Sequence, residues 1–308
     1  MRVPGNAIAY MGTIVRACRP HHWVKNLLLF LPLVLAHSFQ QLGPWFAAAI
    51  GFVAFSLAAS ATYLVNDVVD RLNDQAHATK RRRPVAAGHL SSRHALGWAA
   101  LLVLAGLGLS ALLGLSATGT VATYLILSYT YSRFLKRLVL VDALTLSLLH
   151  LLRIVAGSVI TGIPLSSWLV AFAPLLFFSL ALGKRVAELK ALPFGKDRSE
   201  GRPYPRGASS FLIVLGVTSG LASSVVFALY LESQGATSLY PNTALLIPAL
   251  LTFTLWIVMF WRATTRGEMN EDPVVWSFQN PTSILLAGAF VVFVVAASVM
   301  ALSPATMG

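Results

Sequence analysis

The sequence predicts an all-α polytopic membrane protein with nine transmembrane helices. Composition is the first reason: of 308 residues, 56% are hydrophobic and only 11% charged, whereas soluble domains carry roughly 25% charged residues. The second is that apolar stretches of spanning length, about 20 residues, recur along the whole chain. The third is that basic residues fill every second loop between them. The apolar stretches read as one membrane domain over residues 1–308.

The expected spans are 24–42, 45–65, 94–114, 117–134, 138–160, 165–187, 209–231, 243–262 and 282–303. The first follows a basic N-terminus (Arg2, Arg16, Arg19, Lys25) with no small-residue cleavage site, so it reads as a retained helix, bent at Pro32. The loop after it has no Lys or Arg. The loop after the second holds Arg71, Lys80 to Arg83 and Arg93; after the third, Leu-Ser-Ala-Thr-Gly is uncharged. Arg133, Lys136 and Arg137 follow the fourth, and an uncharged Thr-Gly-Ile-Pro-Leu-Ser follows the fifth. Lys184, Arg185, Lys190, Lys196, Arg198, Arg202 and Arg206 follow the sixth; Glu232 alone follows the seventh; Arg262 and Arg266 follow the eighth.

In this register every Lys and Arg except Arg153 lies on one side, which the positive-inside rule makes cytoplasmic. The reading is therefore an integral protein of a bacterial-type inner or plasma membrane, with its N-terminus inside. Every acid except Glu232 shares that side, although acids contribute little to topology. Their co-location favours a polar, metal-containing pocket there. The net charge of +12 then suits anionic phosphates and membrane lipids, not nucleic acid. The single cysteine, Cys18, excludes an intrachain disulfide framework and a multi-cysteine metal site.

The most polar stretch is Asn66 to Gly88. Asp67, Asp70 and Asp74 recur at i, i+3 and i+7, which puts three carboxylates on one helical face, with Asn66 able to join them. Clustered like charges need neutralising. Hard oxygens suit Mg²⁺, which normally completes its octahedron with waters and substrate phosphates. The basic run Lys80, Arg81, Arg82 and Arg83 can meet those phosphates. Spacing alone supports two readings equally: a metal–diphosphate site, and an exposed cytoplasmic loop whose charges set topology.

Further candidates lie elsewhere. Asp142 starts the fifth span and Arg153 sits inside it on the same face, about 16 Å further along at 1.5 Å per residue. A cation at that depth faces a cavity or a partner. Its residue type suits a buried phosphate, and His150, one turn away, reads as a hydrogen-bonded core histidine. At the sixth span's end, Lys184 and Glu188 are i, i+4 and Arg185 and Glu188 i, i+3; ion pairing at a helix end is the simpler account, phosphate gripping the alternative. Trp23, Lys25 and Tyr129 are placed as interfacial residues. The loop 191–208, with its Pro and Gly residues, is irregular. No Walker loop, dinucleotide fingerprint, HExxH or nucleophile elbow is present, and the seven histidines are scattered.

With these residues in view, the chain resembles the UbiA superfamily of intramembrane prenyltransferases over nearly its whole length. The carriers are Asn66-Asp67-x-x-Asp70-x-x-x-Asp74, the KRRRPVAAG that follows, the nine-span layout, and RPHHWVKN at 19–26. The resemblance implies nine helices around a central cavity with a cytoplasmic polar cap, a lateral opening to lipid, and Mg²⁺ gripping a diphosphate. Usual members carry a second Asp-rich motif after about the sixth helix. Here Gly183-Lys184-Arg185-Val186-Ala187-Glu188-Leu189 puts bases at two of its acid positions. With YSRFLKR at 131–137 and EMNEDPVVWSF at 268–278, this looks like the branch containing decaprenyl-phosphate phosphoribosyltransferase. That branch uses phosphoribosyl diphosphate as donor and a polyprenyl phosphate as acceptor. GRPYPRG at 201–207 departs from the branch and leaves acceptor and sugar open.

The expectation is a Mg²⁺-dependent transferase. Asp67, Asp70 and Asp74, with Asn66, hold the metal. Lys80, Arg81, Lys184 and Arg185 bind donor phosphates, and Lys25, Lys136 and Arg153 orient the acceptor. Tyr129 and Glu188 complete the substrate-binding set. A homo-oligomer is left open. One rival is a prenyltransferase moving a polyprenyl group from its diphosphate to an aromatic acceptor, against which the missing acids at 184–189 count. Another is a transporter or lipid-binding protein, whose charges should line a path through the membrane.

Overall fold

The computed structural model describes residues 7–76, 80–192, 197–198, 203–269 and 273–300. Among these the chain is helical, with no sheet and one isolated bridge, Arg198 to Pro205. Among the described residues, seven helices are long and apolar enough to cross a membrane. The chain divides into two compact units, Met1–Leu135 with Leu149–Leu165, and Lys136–Leu148 with Ser166–Gly308.

In the first unit, α1 (Ala7–Cys18) is followed by an unusually long 3₁₀ segment, Pro20–Phe30, and a short α2 (Leu31–Leu35). The sequence predicts one helix here bent at Pro32. Instead Pro32 occupies the first turn of α2, where its missing N–H costs nothing. The tight 3₁₀ backbone lies directly on α7 (Val141–Thr161): a Cβ on Gly157 would fall 2.1 Å from the Leu29 carbonyl oxygen. Only glycine permits that approach.

α3 (Leu42–Val69) runs into α4 (Arg71–Ala76); α5 (Ser92–Ala111) and α6 (Leu115–Arg133) follow. A short turn at 112–114 reverses the chain between α5 and α6. Ala61 and Leu64 of α3 pack with Ile14 and Ala17 of α1, Ala95 and Ala99 of α5, and Val85 and Leu90 from the intervening loop. Small residues along α3 and α5 let the backbones close, which suits packing in lipid. Ser91 caps α5 by accepting from the His94 amide. The expected fourth span exists as α6, but Ser and Thr lower its hydropathy, so it is not among the seven.

In the second unit, α8 (Ser167–Lys190), α9 (Ser209–Leu231), α10 (Gln234–Leu239), α11 (Leu246–Arg266), α12 (Pro273–Gln279) and α13 (Pro281–Val299) follow the first turns of α7. Its core joins Leu182 and Val186 of α8, Leu212 of α9, Phe260 and Trp261 of α11 and Tyr204 from the α8–α9 connection. Gly216 admits the Trp261 ring, and Trp261 donates to Ser179 Oγ at 3.0 Å. The expected motif segments at 201–207 and 268–278 fall partly outside the described residues, at 201–202 and 270–272.

Candidate active site

The acid stretch is built where α3 gives way to α4. Asp70 ends α3, its amide donating to the Asn66 carbonyl at 2.8 Å, and the Asp74 amide donates in turn to the Asp70 carbonyl at 2.8 Å. The i→i−4 bonding thus passes through the break, keeping the spacing close to helical. Asp67 and Asp74 are buried, at 1% and 3% exposure, and Asp70 is half-buried.

Two arginines neutralise them. Arg83 donates to Asp74 at 2.7 Å and lies 3.6 Å from Asp67. Arg19 donates to the same Asp67 oxygen, Oδ1. The Arg19 backbone is left-handed (φ 52°) and its guanidinium lies over the Tyr63 ring at 5.1 Å. Burial pushes the Arg19 guanidinium below its usual value, an effect that neighbouring Asp67 opposes.

Asp67 Oδ2 is buried without a hydrogen-bond partner. Such an atom in a native structure calls for a missing ligand or water. Among the described residues, no three His, Cys, Asp or Glu side chains converge as a metal cage. Mg²⁺ needs less than a cage, since one or two carboxylates plus waters and phosphates suffice. The orphaned oxygen beside Asp74 therefore fits a divalent ion, and the two arginines fit phosphate.

Asn66 and Tyr129 meet at a cavity of about 200 Å³. Its other walls are Ala61, Thr62 and Val65 of α3, Val103 of α5 and Leu125 of α6. Lys80 is half-buried and Arg81 exposed; Lys25 is half-buried on the 3₁₀ segment. Residues 77–79, within the polar stretch, lie outside the described set.

Arg153 is buried, as its depth predicts, and protein atoms already engage its nitrogens. Nε donates to Asn26 Oδ1 at 2.8 Å, Nη1 to the Leu149 carbonyl at 2.6 Å and Nη2 to the Tyr124 hydroxyl at 3.2 Å. Its guanidinium stands 4.9 Å from the Tyr124 ring centroid.

The second unit holds its own polar cluster. Arg185, 1% exposed, donates to Asp142 at 2.6 Å and to Glu188 at 2.6 Å. Tyr204, from the irregular loop, donates to the other Asp142 oxygen and accepts from the Leu140 amide at 2.9 Å. Burial, then the neighbouring Asp142 carboxylate, pushes the Tyr204 phenol well above its usual value. The i, i+3 pairing of Arg185 with Glu188 is one of the two read from spacing; Lys184 and Lys136 are half-buried.

Sequence reasoning missed Arg19 as the partner of Asp67, and the roles of Tyr204, Asn26 and Tyr124. Their contacts span 48, 62, 127 and 29 residues, beyond any local pattern. The nearest signal was Asn26 itself, a polar residue inside an apolar run.

The model of the UbiA prenyltransferase family matches residues 26–279. Protein y4nM of Sinorhizobium fredii is 38% identical over 279 residues, covering 89% of this chain; the chain spans only 54% of that protein's length. Decaprenyl-phosphate phosphoribosyltransferase of Mycolicibacterium smegmatis is 35% identical over 227 residues, 72% of this chain and 70% of that protein. Among solved structures, a UbiA homolog from Archaeoglobus fulgidus bound to DMAPP and Mg²⁺ superposes with a TM-score of 0.68 at 18% identity, covering 94% of this chain and all of the other.

Proposed function

The chain belongs to the UbiA prenyltransferase family, and from that premise we propose that it transfers phosphoribosyl from phosphoribosyl diphosphate to a polyprenyl phosphate at the cytoplasmic face of the membrane, with Mg²⁺ as cofactor. The carrying observation is the buried pair Asp67 and Asp74, cross-linked by Arg83, with one Asp67 oxygen unpartnered. The base at Lys184 supports a phosphate-rich donor over a prenyl diphosphate, as does the likeness to a phosphoribosyltransferase.

Asp67 and Asp74, with Asp70 and Asn66, would hold the ion, which when bound withdraws negative charge from the leaving diphosphate. Arg19, Lys80, Arg81 and Arg83 bind that diphosphate as guanidinium and ammonium donors. Lys25 orients the acceptor phosphate. An acceptor phosphate oxygen attacks the ribose carbon, the carbon–oxygen bond to diphosphate breaks, and its electron pair leaves with the diphosphate. A phosphate monoester is already anionic, so no strong general base is needed. The reacting ribose carbon carries developing positive charge, and preorganised carboxylates lower its energy. In the second unit, Arg185 is committed to Asp142 and Glu188, and it positions Glu188.

The test is a two-donor assay on purified protein. Labelled phosphoribosyl diphosphate with polyprenyl phosphate should yield a labelled lipid, identified by mass spectrometry. A labelled prenyl diphosphate with an aromatic acid should yield none; label in lipid only in that second arm overturns the proposal.

A further inference from the structure

The geometry points to a second cavity, between α4 and the loop that leads into α5, as a binding site for the phosphodiester headgroup of an anionic membrane lipid.

This cavity measures about 360 Å³, and Arg71 of α4 and Ala87, His89 and Ser91 of the loop are among its walls. That volume is within the range of small-molecule sites, about 300–1,000 Å³. Its lining groups are donors: a guanidinium, an imidazole and a hydroxyl. The Ser91 hydroxyl accepts from the His94 amide and keeps its own proton to donate. Among the described residues, neither the Arg71 guanidinium nor the His89 imidazole makes a hydrogen bond or an ion pair. Asp74, the carboxylate one helical turn from Arg71, is taken by Arg83 at 2.7 Å. An anionic oxygen is the ligand that such donors recognise, and the guanidinium fork matches phosphate.

The walls are held in shape by the protein itself. The Pro84 carbonyl accepts from both the His89 amide at 2.9 Å and the Leu90 amide at 3.0 Å. The Ala87 amide donates to the Arg83 carbonyl at 2.8 Å, and Gly88 supplies the left-handed turn (φ 77°). Val85 and Leu90 are buried in the core shared with α1, α3 and α5. Gln75 of α4 donates to the Ala86 carbonyl at 3.1 Å, which ties the Arg71 wall to the loop. A site built in advance loses little on ordering when it binds.

Lipid and soluble phosphates share this chemistry, and the surroundings favour lipid. Val69 and Leu72 flank Arg71 in sequence and are 46% and 79% exposed. A soluble phosphate leaves those apolar side chains bare, whereas a lipid's hydrocarbon covers them. In the charge register this loop belongs to the cytoplasmic side, where anionic lipid attracts basic residues. A zwitterionic lipid presents the same phosphate with a cation attached, which Arg71 repels.

Native mass spectrometry of the full-length protein, released from detergent with added phosphatidylglycerol or phosphatidylcholine, tests the site. The parent should retain phosphatidylglycerol in preference to phosphatidylcholine. Arg71→Gln should weaken phosphatidylglycerol binding about fivefold, the effect of one interfacial cation. Arg262→Gln, which removes an exposed cation from the second unit, should leave it unchanged. Ala87→Trp fills the cavity and keeps every cation. It should weaken binding at least as much, and it serves alone should Arg71→Gln fail to fold. Equal losses in Arg71→Gln and Arg262→Gln would show attraction to net charge and overturn the site, as would full retention by Ala87→Trp. Equal retention of the two lipids by the parent would also overturn it. Displacement of phosphatidylglycerol by inorganic phosphate would assign the cavity to a soluble phosphate and overturn the lipid reading.

Discussion

Asp67 carries three separate burdens: a buried charge, a bond to Arg19 and an oxygen left open. Its acid spacing with Asp74 was legible in sequence, as was the basic run containing Arg83, because both are local. Arg19 was not, since only the tertiary fold brings it 48 residues to Asp67. Asp67→Asn keeps the shape and removes the charge. It should lower kcat/KM about 10²- to 10³-fold, the usual cost of removing one preorganised electrostatic group, and raise the Mg²⁺ concentration needed for half-maximal rate. Unchanged turnover with saturating Mg²⁺ would remove Asp67 from the site. Arg153 illustrates the opposite limit. Sequence placed it within a span and assigned it to the acceptor phosphate; in the structure it is buried and Asn26, Leu149 and Tyr124 engage its nitrogens. Asn26→Leu would strip the buried guanidinium of one of its two side-chain acceptors and leave Ser56 without the 3.0 Å bond from Asn26. Hydrogen bonds to charged groups are worth about 1.5–3 kcal/mol, so a melting temperature lowered by several degrees in detergent is the expected result.

At the scale of elements, helices were legible where apolar residues run on, and less so where geometry replaces hydropathy. The first expected span became a 3₁₀ segment plus α2, a choice no periodicity reveals because it answers to Gly157 on α7. Its reach is still adequate: eleven 3₁₀ residues and five α residues rise about 30 Å at 2.0 and 1.5 Å each, the thickness of a hydrocarbon core. The α8–α9 connection read only as irregular, yet Tyr204 pins it to the start of α7 through Asp142 and Leu140. The Tyr204 phenol is raised in the folded state, so the native protein keeps a proton that the unfolded chain releases above about pH 10. Its contribution is therefore complete below that pH and is lost as pH rises through the folded value. Tyr204→Phe should lower stability at pH 8 by about 1–3 kcal/mol, because it leaves a buried Asp142 oxygen short of a donor. It should also flatten the alkaline fall in melting temperature seen in the parent. Parallel alkaline curves for the two proteins would show that another group carries the effect.

For the whole molecule, the charge register makes the sharpest demand. Lys80 to Arg83 and the group Arg133, Lys136 and Arg137 share the cytoplasmic side if α5 and α6 both cross or if neither does, and the nine-span reading requires that both cross. α6 does not qualify on hydropathy, but at 19 residues it is about 28 Å long. Three of its threonine hydroxyls bond within the helix, Thr118 on the Gly114 carbonyl, Thr120 on Ala117 and Thr123 on Gly119. A hydroxyl bonded to its own helix is tolerated in lipid because no donor is left bare. The native chain is suited to a labelling test, since its only cysteine, Cys18, is buried and gives little background. Ser116 and Arg82 are both exposed and flank the proposed crossings. A membrane-impermeant maleimide should label Ser116→Cys on intact cells, and Arg82→Cys only after permeabilisation. If both label from outside, α5 does not cross, the basic run is not cytoplasmic, and a site fed by a cytosolic sugar diphosphate is excluded along with it.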